Sequence, residues 1–90
     1  MEQAFNIASE GMKKADIGAI SDAEKLDLYK YYKQALEGDN EAEEPSTIQF
    51  KAKKKWEAWK SVEGMSKADA MKEYVDEAKK YLPEDIKAQL

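Results

Sequence analysis

Hydrophobic residues recur every three or four positions along this chain, and nowhere do they alternate with polar residues over the length of a strand. Residues three and four apart share one face of an α-helix, so this period predicts amphipathic helices. The pattern predicts helices at about residues 2–15, 21–37, 48–62 and 66–82, followed by a short tail over 83–90. The expected fold class is all-α, a four-helix bundle forming a single domain over residues 1–90.

Three short segments have the form of helix starts. In a capping box, a serine oxygen accepts an amide hydrogen of the new helix while a glutamate or glutamine three residues later reaches back. This pattern predicts a strong start at Ser21–Glu24, a weaker one at Ser46–Gln49, and a serine cap at Ser66–Asp69.

Glycine and proline mark the predicted helix ends. The first helix should stop around Asp16 to Gly18, the second at Gly38, and the fourth at Pro83, with at most one frayed turn beyond it. The connection from Gly38 to Thr47 is long for a helical bundle, so it would allow the second and third helices to run in the same direction.

Composition removes several kinds of chemistry. The chain has no cysteine, histidine or arginine, so it lacks thiolate and imidazole ligands and the usual general base near neutral pH. Any phosphate must be held by lysines, without the bidentate fork of a guanidinium. The net charge is −4, which argues against a general nucleic-acid binder. No apolar run approaches membrane-spanning length and no signal peptide opens the chain, so the default expectation is a soluble intracellular protein.

The charge is distributed unevenly. Residues 37–44 include five acids and no base, whereas residues 51–55 include four lysines and no acid. The acidic segment lacks the glycine and the closing glutamate of a calcium loop, so we expect a solvated loop and no metal site. A local basic patch on an acidic body fits a small anionic ligand better than a long polyanion.

Two segments, residues 29–35 and 50–59, interleave aromatic residues with lysines. Tyr29, Tyr32 and Lys33 fall on one side of a helix, where a ring beside an ammonium suits a flat base that carries a phosphate. Base stacking on such a ring contributes ~1–3 kcal/mol. Tyr29, Tyr31 and Tyr32 span more than half the helix circumference, so at least one should be exposed. The tryptophans Trp56 and Trp59 are expected to be core anchors.

Three parts of the chain closely resemble the acyl-coenzyme A-binding protein family in both identity and spacing. The resemblance covers about residues 3 to 82. The matching segments are Tyr29-Lys30-x-Tyr32-Lys33-Gln34-Ala35 with Gly38-Asp39 and Pro45, then Phe50-Lys51-x-Lys53-x-Lys55-Trp56-x-Ala58-Trp59, then Ser66-Lys67-x-Asp69-Ala70-Met71-x-x-Tyr74.

The resemblance implies an up-down-down-up bundle that binds medium- or long-chain fatty acyl-CoA without turning it over, as a cytoplasmic carrier. It also implies site residues. The adenine would stack on Tyr32, the phosphates would be held by lysines, and the acyl chain would lie in an apolar groove between helices two and three. The implied contacts to the head group are Lys13, Tyr29, Tyr32, Lys33, Lys55 and Tyr74, and those near the acyl chain are Leu26, Leu28 and Phe50.

The chain departs from the family pattern at three places. The loop from Lys14 to Ile20 is one residue longer than usual, which weakens the match of Lys13. Lys25 and Lys54 stand where the family often has apolar or small residues beside the acyl chain, so they would shorten the groove or extend out of it. The tail from Pro83 onwards lies outside the pattern.

Two other classes of function compete with a carrier. A helical protein-interaction module that has lost acyl-CoA binding would use the exposed tyrosine and the lysine face. An enzyme is disfavoured, because no acid or lysine is paired with an obvious nucleophile. The expected protein is thus a monomer that needs no cofactor or metal. It binds acyl-CoA but no nucleic acid, does not insert stably into membranes, and docks at most transiently on membranes or enzymes.

Overall fold

Helices account for all the regular secondary structure of residues 1–15 and 20–90, the residues described by the computed structural model. The four predicted helices are present, and the tail adds a single short turn. In chain order the helices are α1 (Glu2–Lys14), α2 (Asp22–Glu37), α3 (Phe50–Lys60), α4 (Lys67–Ala78) and α5 (Glu84–Lys87). None of the described helices is long and apolar enough to cross a bilayer.

Two of the predicted caps are confirmed and one is wrong. The Ser21 hydroxyl accepts the backbone N–H of Glu24 and the glutamate side chain reaches back, so the capping box of α2 is complete. Ser66 likewise caps α4. Before α3, however, the Gln49 N–H donates to the backbone carbonyl of Ser46 at 3.0 Å, forming a turn instead of a side-chain cap. The helix predicted over 48–62 therefore begins at Phe50, and it ends at Lys60.

The helix ends follow the glycine and proline positions. Gly38 closes α2 with a φ of 81°, a conformation that side chains with a Cβ rarely adopt. α4 ends at Ala78, and the N–H groups of Tyr81 and Leu82 then turn back onto the Ala78 carbonyl before Pro83. α1 ends at Lys14, and the stop predicted at Asp16 to Gly18 lies outside the described residues.

α2 and α3 run in the same direction. The Lys55 ammonium lies over the Tyr29 ring and the Lys33 ammonium lies over the Trp59 ring. Moving four residues forward along α2 therefore corresponds to moving four residues forward along α3. α4 packs against both α1 and α2. Contacts of α4 and of the turn that follows it show that the chain here runs parallel to α1 and antiparallel to α2. The pairs are Phe5–Tyr74 and Gly11–Leu82 with α1, then Tyr32–Tyr74 and Glu24–Tyr81 with α2. This is the predicted up-down-down-up order.

The two tryptophans anchor the crossover between α2 and α3. The Trp59 indole N–H donates to the Gly38 carbonyl at 2.8 Å, and the Trp56 indole N–H donates to the Ala42 carbonyl at 2.8 Å. Asn40 is buried between them and its amide donates to the Trp56 carbonyl. These bonds satisfy polar groups of a segment that would otherwise be a loose acidic loop, so parallel packing of α2 and α3 is maintained.

The hydrophobic core lies between α1, α2 and α4, and α5 covers its open end. Buried residues from the three helices meet there, chiefly Phe5, Ala8, Met12, Leu28, Ala35, Tyr74, Val75 and Leu82. Ile86 and Leu90 of the tail pack against this cluster. The approach is close at Gly11, where an added Cβ would lie 2.8 Å from Leu82 and 3.0 Å from Ile86.

Candidate functional site

A concave pocket of about 420 Å³ lies where α1, α2 and α4 meet. We call it the tyrosine pocket, because three of its walls are tyrosines. Its lining residues are Ser9, Met12, Lys13, Ile20, Lys25, Leu28, Tyr29, Tyr32 and Tyr74.

Packing fixes the Tyr32 ring in the tyrosine pocket. It stacks on Phe5 of α1 with a centroid distance of 5.8 Å and an interplanar angle of 27°. It also meets Tyr74 of α4 at 5.7 Å, and Phe5 and Tyr74 are themselves in contact at 5.1 Å. Because both neighbours belong to the core, the ring is held in place before any ligand arrives, which lowers the entropy cost of stacking a base on it.

Tyr74 presents a protonated hydroxyl to the tyrosine pocket. The residue is only 5% exposed, and burial raises the pKa of its phenol to about 12, with a further contribution from Tyr32. Among residues 1–15 and 20–90 its hydroxyl has no hydrogen-bond partner, although the residue lines the pocket. Within that part of the chain it is therefore a donor without an acceptor at neutral pH.

A second pocket of about 380 Å³ lies between α2 and α3. Four of its lining residues are lysines, so we call it the lysine groove. It is lined by Asp22, Lys25, Leu26, Tyr29, Phe50, Lys51, Lys54 and Lys55.

Tyr29 and Lys25 belong to both pockets. They stand one turn apart on α2 and form the wall between the tyrosine pocket and the lysine groove. The Lys55 ammonium, 5.6 Å from the centroid of the Tyr29 ring, lies beside this wall. A ligand with a polar aromatic end and an apolar end could therefore occupy both pockets at once, with its charged middle near Lys55.

The predicted site residues fall into distinct places. Tyr29, Tyr32, Tyr74 and Lys13 line the tyrosine pocket, with the Lys13 ammonium 3.3 Å from Glu10 at the rim. Lys55, Leu26 and Phe50 line the lysine groove. These two sets meet at Tyr29.

Leu28 does not lie in the groove between α2 and α3. It is buried in the core and lines the tyrosine pocket instead. Residues two positions apart in sequence lie about 200° apart around a helix axis, so Leu26 and Leu28 cannot both face α3. Leu26 and Leu28 therefore line different pockets, and contact of either one with an acyl chain stays a prediction.

Lys33 lines neither pocket. Its ammonium bonds to Glu37 and lies 4.8 Å from the centroid of the Trp59 ring. The bond to Glu37 raises the pKa of Lys33, against a smaller effect of burial. Its charge is thus already partnered within the fold, unlike that of Lys55.

The tyrosines of α2 differ from expectation. None of Tyr29, Tyr31 and Tyr32 is fully exposed, because each is half-buried. Tyr31 and Tyr32 pack against the core, while Tyr29 lies between the pockets. The lining residues Ser9, Met12 and Ile20 were not identified from the sequence as site residues. Met12 belongs to the apolar stripe of α1, and nothing in that stripe distinguishes a residue that lines a pocket from one that fills a core.

No cluster of acids with the geometry of a metal site occurs among the described residues. Lys25 and Lys54, the two lysines that depart from the family pattern, both line the lysine groove. The Lys54 ammonium lies 4.5 Å from the Phe50 ring centroid, which places it at the Phe50 end of the groove.

Comparison with known proteins identifies the family. The family model for acyl CoA binding protein matches residues 2–78. The chain belongs to the acyl-CoA-binding protein family. This is a family of non-catalytic binding proteins, and the resemblance seen in the sequence is confirmed.

Individual relatives support the same assignment. The chain is 47% identical over 71 residues to diazepam-binding inhibitor-like 5 of Rattus norvegicus. This match covers 79% of this chain and 80% of that protein. It is 50% identical over 52 residues to the acyl-CoA-binding protein of Saccharomyces cerevisiae, covering 58% of this chain and 60% of that protein. The crystal structure of acyl-CoA-binding protein 2 from Oryza sativa superposes with a TM-score of 0.84 at 37% identity, over 99% of this chain and 97% of that one.

Proposed function

We propose that this protein binds medium- and long-chain fatty acyl-CoA thioesters, without turning them over, and buffers and transports them within the cytoplasm. The observation that supports this most directly is the pair of pockets that meet at Tyr29. One pocket offers fixed aromatic rings, the other an apolar floor with cationic walls. Few small molecules other than a thioester of coenzyme A combine an adenine, phosphates and a long apolar chain.

In the proposed complex the tyrosine pocket holds the nucleotide. The adenine stacks on Tyr32, which Phe5 and Tyr74 already hold in position, and such stacking contributes ~1–3 kcal/mol. The Tyr74 hydroxyl donates to the nucleotide, and Lys13 lies at the rim for a phosphate. Lys55 holds a phosphate next to Tyr29, and Lys33 joins it by leaving Glu37.

The acyl chain occupies the lysine groove. Leu26 and Phe50 supply apolar contacts, and each buried methylene contributes ~0.8 kcal/mol. Lys25 and Lys54 lay their aliphatic stems along the chain and keep their ammonium groups in water. Lys54 at the Phe50 end limits how much of a long chain the groove covers, so chain length affects affinity up to the length that reaches this end.

Non-catalytic binding is the expected chemistry of this site. The tyrosine pocket and lysine groove contain lysines, tyrosines and one aspartate, but no histidine or cysteine exists in the chain. Ser9 is the one serine that lines them, and its hydroxyl is engaged in a hydrogen bond to the Asn6 carbonyl, not to a histidine or a carboxylate that could activate it. We therefore propose a monomeric carrier that needs no cofactor.

Isothermal titration calorimetry tests the proposal. The protein is titrated with palmitoyl-CoA, with free coenzyme A and with palmitate, and the thioester is recovered and assayed for free thiol. We expect one-to-one binding of the intact thioester, at least ~100-fold tighter than either half, because each half loses one pocket. Equal affinity for free coenzyme A, or no binding at all, would refute the carrier function and favour a protein-interaction module.

A further inference from the structure

Two large apolar side chains project into solvent just before and at the start of α3. Ile48 is 91% exposed and Phe50 is 63% exposed, and Ile48 belongs to the turn that replaced the predicted cap. Single exposed apolar residues are common on protein surfaces. Here, however, the two lie within three residues of each other, and Phe50 is also a wall of the lysine groove.

Several lysines near these side chains have no ion-pair partner among the described residues, although Lys53, which lies beside Phe50, pairs with Glu44. Within residues 1–15 and 20–90, eight of the fifteen lysines form salt bridges, seven of them with an acid three or four positions away and one, Lys53, with Glu44 of the crossover. Four of the other seven line the lysine groove, namely Lys25, Lys51, Lys54 and Lys55. The one acid in that lining is Asp22. On its other side Phe50 shares a pocket with Lys53 and Glu57, and Glu44 pairs with Lys53, so lysines still outnumber acids around Phe50 on a protein whose net charge is −4.

We propose that this surface, which we call the α3 tip (Ile48, Phe50, Lys51 and Lys54), docks on bilayers that contain anionic lipids. Ile48 and Phe50 enter the headgroup boundary, and the lysines pair with lipid phosphates and carboxylates. Apolar insertion combined with electrostatic attraction is the usual basis of reversible binding at a membrane interface.

Charge complementarity favours a membrane over a protein partner. Unpaired lysines on flexible stems suit a fluid array of anionic headgroups, whereas a fixed acidic protein surface is better matched by the planar fork of arginine, which the chain lacks. The negative body of the protein does not cancel this attraction. Exposed charges farther than ~8 Å away are largely screened at physiological ionic strength.

The docking surface and the lysine groove share Phe50, Lys51 and Lys54. If the proposed acyl-CoA binding holds, the groove opens beside the bilayer when the α3 tip is docked. An acyl chain could then pass from the lipid phase into the groove past Phe50, with little exposure to water. This step rests on the proposed function, but docking itself does not.

Vesicle co-sedimentation tests the docking. The protein is incubated with sucrose-loaded vesicles of phosphatidylcholine alone, or of phosphatidylcholine mixed with phosphatidylserine. We expect binding to the mixed vesicles only, weakening as salt is raised. Lys51→Gln should reduce partitioning about fivefold, the contribution of one lysine near an anionic surface. Ile48→Ser should reduce it by a similar factor or more.

Matched controls separate the α3 tip from the rest of the surface. Lys72→Gln removes an exposed lysine of α4, and Leu36→Ser removes an exposed leucine of α2. Both should leave partitioning unchanged. Losses equal to those at the α3 tip would overturn the assignment of the docking surface, and so would equal binding to neutral vesicles.

Calorimetry without vesicles separates this proposal from the carrier function. Ile48 lines neither pocket and is exposed, so Ile48→Ser should fold normally and bind palmitoyl-CoA as wild type does. Normal palmitoyl-CoA binding with no sedimentation on either vesicle would overturn docking alone and point to an acidic protein surface as the occupant. Sedimentation without palmitoyl-CoA binding would support docking and refute the carrier function.

Discussion

Replacing Lys55 by methionine should weaken ligand binding with little effect on the stability of the fold. Its ammonium has no ion-pair partner among residues 1–15 and 20–90, and it lies beside the Tyr29 wall where both pockets meet. A phosphate there would gain a cation without breaking an existing bond. Methionine keeps the apolar length of the stem and removes only the charge, so the pocket shape should be unaffected.

The expected loss follows from the single charge-assisted contact. Such hydrogen bonds contribute ~1.5–3 kcal/mol, which corresponds to a roughly 10- to 150-fold weaker Kd for palmitoyl-CoA. The cost to folding is smaller, since an exposed cation–π contact with Tyr29 contributes only ~0.5–1 kcal/mol. The Tm should therefore fall by no more than ~4–8 °C.

Lys33 provides an internal comparison. Its ammonium already bonds to Glu37, so a phosphate must displace that carboxylate and the net gain is smaller. Lys33→Met should weaken palmitoyl-CoA binding less than Lys55→Met does. Glu37→Gln should tighten binding, because it frees the Lys33 ammonium.

The assay is calorimetric titration with palmitoyl-CoA at low and high salt, beside thermal unfolding of each variant. Lys72→Met, on the exposed face of α4, is the control for loss of one positive charge. The reasoning would be refuted by a Kd for Lys55→Met within twofold of wild type, or by an equal loss in Lys72→Met.

Two further predictions concern stability. Gly11→Val should lower the free energy of unfolding by ~1–3 kcal/mol and speed proteolysis of the tail, since even a Cβ there meets Ile86 at 3.0 Å; an unchanged Tm would contradict this packing. Hydrogen bonds from the Gly64 N–H, the larger effect, and from the Gln34 amide lower the pKa of the Asp39 carboxylate. The stability that these bonds add is therefore present above the unfolded pKa of ~3.9 and is lost as pH falls through the lower pKa of the folded state. Asp39→Asn should thus destabilise the protein in urea unfolding at neutral pH, and the gap to wild type should narrow at acidic pH; a constant gap would count against it.

The helices could be predicted from sequence because the spacing of hydrophobic residues and the positions of the capping serines agreed in most places. α2 had both an apolar stripe and a complete capping box at Ser21, and its bounds follow the prediction closely. The start of α3 differs from the prediction, because the Gln49 N–H donates to the Ser46 carbonyl and no side chain caps the helix. Sequence patterns do not resolve that competition, since both bonds use the same residues.

The candidate site was only partly predictable, and the reason is geometric. Family resemblance implied site residues, but it did not distinguish Lys33, which is bonded to Glu37, from Lys55, which has no ion-pair partner in the described part of the chain. Nor did it reveal that Leu28 faces away from Leu26 and into the tyrosine pocket. The role of Tyr29 as a shared wall depends on how three helices meet, which no local pattern contains.

Because both tryptophans anchor the crossover, their intrinsic fluorescence can report on this part of the protein. Both tryptophans of the chain bond to the segment between α2 and α3, so intrinsic emission should follow closure of that segment more than the state of α1 or α4. Trp59 also lies beneath the Lys33 ammonium. Emission from Trp59 should therefore change when Lys33 leaves Glu37, so stopped-flow spectroscopy could time phosphate capture without any added dye.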